Sequence, residues 1–228
     1  MSSRDQILNK LRSTLDRTDE KSELNDIRQQ LITPKPQPIP NRGNPKANDR
    51  IPIFEELALA ANCSIERVST PQDIPRSVAN WLAHNNLPPS LVIARNPTLE
   101  GLSWSDHSFL SIRTGIPEKD DEVGLNLALA GISETGTLMF ASSPQTPTSL
   151  NFLPENHIAI VGASTIVGSY EEAIKRLKPP ETEQPHSQMP RVLNFVTGPS
   201  RTGDIALKLE LGAHGPKRLH IVIVNAHL

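Results

Sequence analysis

The chain is short of cysteine, aromatic side chains, net charge and long apolar runs, and each shortage removes a class of function. A single cysteine, Cys63, among 228 residues rules out an internal disulfide and falls short of the four thiolates an iron–sulfur cluster normally takes. Any such cluster is expected in a partner. The 23 basic and 25 acidic residues leave a formal net charge of -2, which gives no electrostatic footprint for nucleic acid or anionic lipid. The longest apolar-rich run, Val123 to Ile132, is far below the roughly 20 residues of a spanning helix, and the polar start Met-Ser-Ser-Arg-Asp-Gln lacks the apolar core of a signal peptide. A cytoplasmic location is expected. Seven histidines show no i, i+4 pair and no neighbouring cysteine, so no metal site is expected. Gly162 to Gly168 lacks the spacing of a dinucleotide fingerprint and no Gly-x-x-x-x-Gly-Lys-Ser/Thr element occurs. No cofactor is expected on this chain.

With 36% hydrophobic side chains over 228 residues, there is material for one sizeable α/β core. Ser3 and Gln6 form a capping-box pattern, and Ile7, Leu8, Leu11 and Leu15 make one stripe at helical spacing. That helix either packs on its own domain or docks on a partner or second copy. Thr33 to Pro45 then holds Pro34, Pro36, Pro38, Pro40 and Pro45, which remove backbone donors and favour an extended spacer. The expected organisation is an N-terminal helical segment over 1–32, a proline-rich linker over 33–48 and an α/β domain over 49–228.

Within that domain the elements alternate. Helices are expected at Ile53–Ala61, Ile74–His84, Tyr170–Leu177 and Ile205–Leu211, and strands at Ile65–Val68, Leu91–Ala94, Ser108–Ile112, Thr137–Ala141, His157–Val161, Val192–Val196 and Arg218–Val224. Such alternation argues for a mostly parallel sheet whose ligand sites lie at the carboxyl ends of strands.

Two segments carry chemistry. In Gly198 to Asp204, Gly198 allows close backbone approach, Pro199 stiffens the turn, Ser200 and Thr202 offer hydroxyls, and Arg201 supplies a planar fork for carboxylate or phosphate. A following helix would aim its free amides at the same anion. The same residues also suit a plain turn, with Thr202 as helix cap, Asp204 against the dipole and Arg201 paired to a protein carboxylate. The second segment is Glu134-Thr135-Gly136-Thr137. A carboxylate beside a glycine turn can serve as base, nucleophile or ligand clamp, or pair with Arg201, and the two segments are expected to meet. His214, between glycines and ahead of Pro216, either orders a turn or transfers a proton.

Together, Ile132-Ser133-Glu134-Thr135-Gly136-Thr137-Leu138 and Gly198 to Pro216 resemble the signature of the lactate-utilisation (LUD) domain family, in particular lactate-utilisation protein C. The resemblance covers roughly 121–228. It implies a Rossmann-like sheet of the sugar-phosphate isomerase and CoA-transferase type, and a non-redox role beside iron–sulfur partner proteins in oxidation of L-lactate to pyruvate. Glu134 is then the candidate catalytic residue. Thr135, Gly136, Thr137, Gly198, Ser200, Arg201, Thr202 and His214 are the candidate ligand or anion site. Two positions depart from the family pattern: Gly203 replaces the usual Ala, and Ala206 stands where an acidic residue commonly follows Asp-Ile. An independent transferase or isomerase acting on an acyl-CoA or sugar phosphate, and a ligand-free scaffold, are the alternatives.

Overall fold

A computed structural model describes residues 3–14, 25, 27, 38–177, 190–202 and 210–228. The chain divides into two compact units, Met1–Pro38 and Ile39–Leu228. In the first, helix α1 spans Ser3–Thr14, with Asp5 in its first turn complementing the positive end of the helix. Its Ile7, Leu8 and Leu11 are exposed, while Leu15 lies outside the described residues.

The division at Pro38 places residues 39–48, read above as linker, with the α/β unit. There, short 3-10 turns at Asn41–Gly43 and Ala47–Asp49 lead into α2, Arg50–Ala60. Pro52 sits in its first turn, where a missing N–H breaks no intrahelical bond. Asn62 ends α2 in the left-handed region at φ 68°, and the amides of Asn62 and Cys63 close onto the Leu59 and Ala58 carbonyls. The chain is thereby turned straight into β1, Ser64–Val68.

The order then runs α3 Ile74–His84, β2 Ser90–Ile93, α4 Pro97–Glu100, β3 Ser111–Thr114, β4 Val123–Leu127, β5 Ala130–Ile132, β6 Thr137–Ala141 and β7 Asn156–Gly162. It continues β8 Ile166–Val167, α5 Tyr170–Lys175, β9 Leu193–Val196, β10 Arg201–Thr202, β11 Glu210–Leu211 and β12 Arg218–Val224. Six strands form one sheet in the order β1-β12-β7-β4-β2-β3, and every neighbouring pair is parallel. The interior strands β12 and β7 are buried on both faces, which explains their near-continuous apolar runs.

Side chains alternate across that sheet. Ile158, Ile160, Val222 and Val224 pack with Val78, Trp81 and Leu82 of α3, whereas Ala159, Val161, Ile221 and Ile223 pack with Phe54 and Ala58 of α2 and with Leu138 and Phe140 of β6. β6 belongs to a second, four-stranded sheet, β8-β5-β6-β9, in which it runs antiparallel to both neighbours. Its opposite face meets Ala173 of α5 through Ile132, Met139 and Val167.

Three expectations change. The apolar stretch ending at Ile132 breaks after Leu127, so that β4 serves the first sheet and β5 the second. The strand expected at Ser108–Ile112 starts instead at Ser111, because Trp104–His107 winds into a 3-10 turn closed by the Leu110 amide on the His107 carbonyl. The helix expected over Ile205–Leu211 does not include Glu210 and Leu211, which pair with Thr202 and Arg201 as an antiparallel ribbon; Gly203 to Leu209, including both departures from the family pattern, lie outside the described residues.

Candidate functional site

The Glu134-Thr135-Gly136-Thr137 segment is the tight turn between β5 and β6. Gly136 takes φ +65°, and a Cβ there would stand 2.5 Å from the Ala58 amide nitrogen of α2, so both backbone and space demand glycine. This contact fixes the turn against α2. The Thr137 hydroxyl, fully buried, then meets Thr135 at 2.7 Å, Tyr170 at 3.2 Å and Thr197 at 2.6 Å. Tyr170 also meets Thr135 at 2.8 Å. Four hydroxyls thus form one connected chain across β6, α5 and the end of β9.

Glu134 faces away from this chain. Its amide donates to the Gly168 carbonyl at 3.0 Å, and its Oε1 accepts from Arg42 Nε at 3.0 Å. The carboxylate side chain is 6% exposed and the arginine 72%. Gly43, next in the chain, is buried over it: a Cβ on Gly43 would stand 2.9 Å from Glu134 Oε2 and 3.1 Å from Ser169 Cβ. The stretch read as a spacer therefore covers the candidate catalytic carboxylate.

Thr197 carries the hydroxyl chain into the other segment. Gly198 follows at φ +87°, where a Cβ would collide with the Ala61 carbonyl at the end of α2. The Ser200 amide donates to the Pro216 carbonyl at 2.8 Å, the Gly212 amide to the Ser200 carbonyl at 2.9 Å, and the His214 amide to Ser200 Oγ at 3.3 Å. These bonds clamp the loop onto the turn that precedes β12. Between them opens a cleft of about 230 Å³, lined among others by Phe152, Phe195, Thr197, Ser200, Arg201 and His214. Arg201 is exposed and has no ion-pair partner among the described residues.

The first segment reaches the second through the Thr137–Thr197 hydrogen bond, but none of Glu134, Thr135, Gly136 and Thr137 lines the cleft, Thr202 does not line it either, and Glu134 pairs with Arg42. The cleft also lies at the amino end of the large sheet, beside Pro216 ahead of β12 and Glu155 ahead of β7, which accepts from the Lys217 amide at 2.7 Å. The carboxyl-end placement expected from sequence does not hold. Thr202, read as an anion-site hydroxyl or alternatively as a helix cap, is a buried β10 residue in the ribbon. Burial pushes the Cys63 thiol up to about 11, against the opposing pull of Arg201 and a Gly198 backbone hydrogen bond, so it stays protonated and is no nucleophile.

Sequence reasoning missed Tyr170, Thr197, Phe152, Phe195 and Arg42. Thr197 stands one position ahead of the loop that was singled out, so its hydroxyl was within reach of that reading. Arg42 and Glu134 are 92 positions apart, and nothing local couples them.

An α/β protein with a fully parallel sheet, a second small sheet across one face and a cleft beside the junction of two motif segments is what fold and site define. Comparison with known proteins agrees: the family model for the LUD domain matches residues 120–224, just under half of the chain. Its likeness there is to lactate utilization protein C. The protein of that name from an Exiguobacterium species is 30% identical over 128 residues, covering 56% of this chain and 54% of the relative. The one from Macrococcus caseolyticus is 28% identical over 154 residues, covering 60% and 66%. The chain spans about half the length of the curated relatives it matches. A crystal structure of a DUF162 family protein from Deinococcus radiodurans has the same fold, with TM-score 0.56 and 18% identity over 79% of this chain and 99% of that one.

Proposed function

We propose that this chain serves lactate utilization as a non-redox component that works beside iron–sulfur partners in the oxidation of L-lactate to pyruvate, holding a small anion in the Arg201 cleft. The observation that carries the reading is the junction at Thr197: Thr137 of one segment that resembles the family is hydrogen-bonded at 2.6 Å to Thr197, the residue just ahead of the other, beside a cleft that presents Arg201, Ser200 and a glycine backbone. A guanidinium and a hydroxyl on one loop suit a carboxylate or phosphate. A single, buried cysteine leaves cluster chemistry to partners. A transferase working through Glu134 is less well supported, since its carboxylate is ion-paired and covered.

The test is growth on lactate of a host lacking its own homologue, complemented with the full chain or with Arg201→Lys, together with a pull-down from lactate-grown cells. Arg201→Lys keeps the charge and loses the bidentate fork, so growth falls while the thermal melt is unchanged. Full growth with Arg201→Lys and Arg201→Gln would remove the anion site, and a pull-down without cysteine-rich redox proteins would remove the assigned partners.

A further inference from the structure

We infer that the cleft takes an anion bearing a planar apolar group, a ligand larger than a three-carbon acid; this rests on the reading of the cleft as an anion site. The chain has only five phenylalanines. Phe54 and Phe140 are core residues at 0% and 2% exposure, while Phe109, Phe152 and Phe195 are exposed. Two of those three line this one cleft, on the same opening as Arg201. Phe195 packs on Tyr170 on one side, with ring centroids 5.3 Å apart, so the apolar surface left open is that of Phe152 and the exposed part of Phe195. A site built for a compact, fully hydrated anion has no use for it, because it is favourable only when something apolar covers it.

Size points the same way. A three-carbon acid displaces only a few waters at about 30 Å³ each, and would leave much of the roughly 230 Å³ to water. Gly215 enlarges the space further: a Cβ on it would stand 3.4 Å from Ser200 Cβ and 3.7 Å from Phe152 Cδ1. Those are ordinary contact distances, so no close packing requires glycine here. The missing methyl leaves a slot between the Ser200 side chain and the Phe152 ring. The floor is held by Asn151, buried, which accepts from Asn126 Nδ2 at 3.2 Å and donates to Asn194 Oδ1 at 3.3 Å. Arg201 and the Ser200 hydroxyl proton take the charged head, and the rings take the plane.

Pyruvate and phenylpyruvate share a head group and differ by a ring, so calorimetric titration of the full chain with each separates the two claims. Phenylpyruvate is expected to bind at least about tenfold more tightly than pyruvate, from burial of the ring. Gly215→Ala fills the slot without strain; it should keep the wild-type melt, weaken phenylpyruvate about tenfold and leave pyruvate unchanged. Phe195→Ala should likewise weaken phenylpyruvate and spare pyruvate, and Arg201→Gln should weaken both acids. Equal affinity for the two acids, or indifference of phenylpyruvate to Gly215→Ala, overturns the planar group while an Arg201 dependence keeps the anion site. Binding of neither acid, or binding that ignores Arg201→Gln, overturns both. Loss of a protein partner with Phe195→Ala, in a chain that binds neither acid, makes the rings an interface instead.

Discussion

Replacing Thr137 with valine removes one hydroxyl from a side chain that is 0% exposed and keeps its branched shape. The consequence follows from what each partner has left. Thr135 and Tyr170 retain each other at 2.8 Å, whereas Thr197 loses its 2.6 Å contact. A net hydrogen bond is worth about 1 kcal/mol, and Thr197 is exposed and can turn to water once freed, so we expect a loss of about 1 to 2 kcal/mol. For a domain of this size that is a fall in melting temperature of roughly 2 to 8 °C. Thr135→Val leaves Thr137 bonded to both Tyr170 and Thr197, and Tyr170→Phe leaves the three threonines connected, so each costs about 1 kcal/mol or less. The assay is urea unfolding of the three variants at one pH, with a Thr137→Val/Thr197→Val double-mutant cycle to isolate the contact. A coupling near zero, or Tyr170→Phe as the most damaging of the three, refutes the hydroxyl chain as what joins the two motif segments.

Removing residues 1–38 should leave the melting temperature of the α/β unit unchanged, because the compact division falls at Pro38. Removing residues 1–45 also strips Arg42 from Glu134 and Gly43 from its seat, and should cost about 1 to 3 kcal/mol in the same thermal melt; equal melts for the two truncations would contradict the packing of that stretch. Acid should weaken the fold through His157, which lies fully buried against Phe140 with neither ring nitrogen hydrogen-bonded among the described residues. Burial lowers its pKa from 6.5 to about 4. Between those values the unfolded chain takes up a proton that the folded chain refuses, so stability is full above pH 6.5, falls as pH drops toward 4 and then levels, by on the order of 3 kcal/mol. Denaturant titrations of wild type and His157→Phe across that range should show a shallower slope in the variant; identical slopes would assign the acid sensitivity elsewhere.

Much of the fold was legible because burial imposes its period on the residues. β6 and β12 lie at Thr137–Ala141 and Arg218–Val224, and α3 at Ile74–His84, the ranges that the apolar runs and the helical stripe predict. Which sheet a strand joins is another matter. β4 and β5 follow each other with only Ala128 and Leu129 between them, and the choice between continuing one sheet and starting another is made by neighbours far away in the chain, such as β8 beside β5. The site was half legible for the same reason. Gly136 and Gly198 announce themselves as turn residues, and the structure shows what they make room for on α2, at Ala58 and Ala61. The Arg42–Glu134 pair and the approach of Phe152 to Ser200 exist only once the chain is folded.

Glu134 shows most clearly how that folding bears on chemistry. A carboxylate that accepts an acyl group or a proton from a ligand needs an open approach to its oxygens. Here Oε1 holds Arg42 and Oε2 lies where Gly43 leaves no space even for a methyl. Gly168 repeats the constraint from below, since a Cβ on it would stand 2.5 Å from the Gly43 carbonyl oxygen. The strap is therefore seated by close backbone approach as well as by charge, and the carboxylate acts as its anchor. Glu134→Gln keeps the shape and loses the charge-assisted bond, so it should lower stability by about 1 to 2 kcal/mol, and Arg42→Gln should do the same without adding to it. If the anchor is the whole role, growth on lactate follows the melting temperature in both variants. If instead Glu134→Gln abolishes growth with an unchanged melt, while Arg42→Gln grows normally, the carboxylate is doing chemistry and the strap must leave it during turnover.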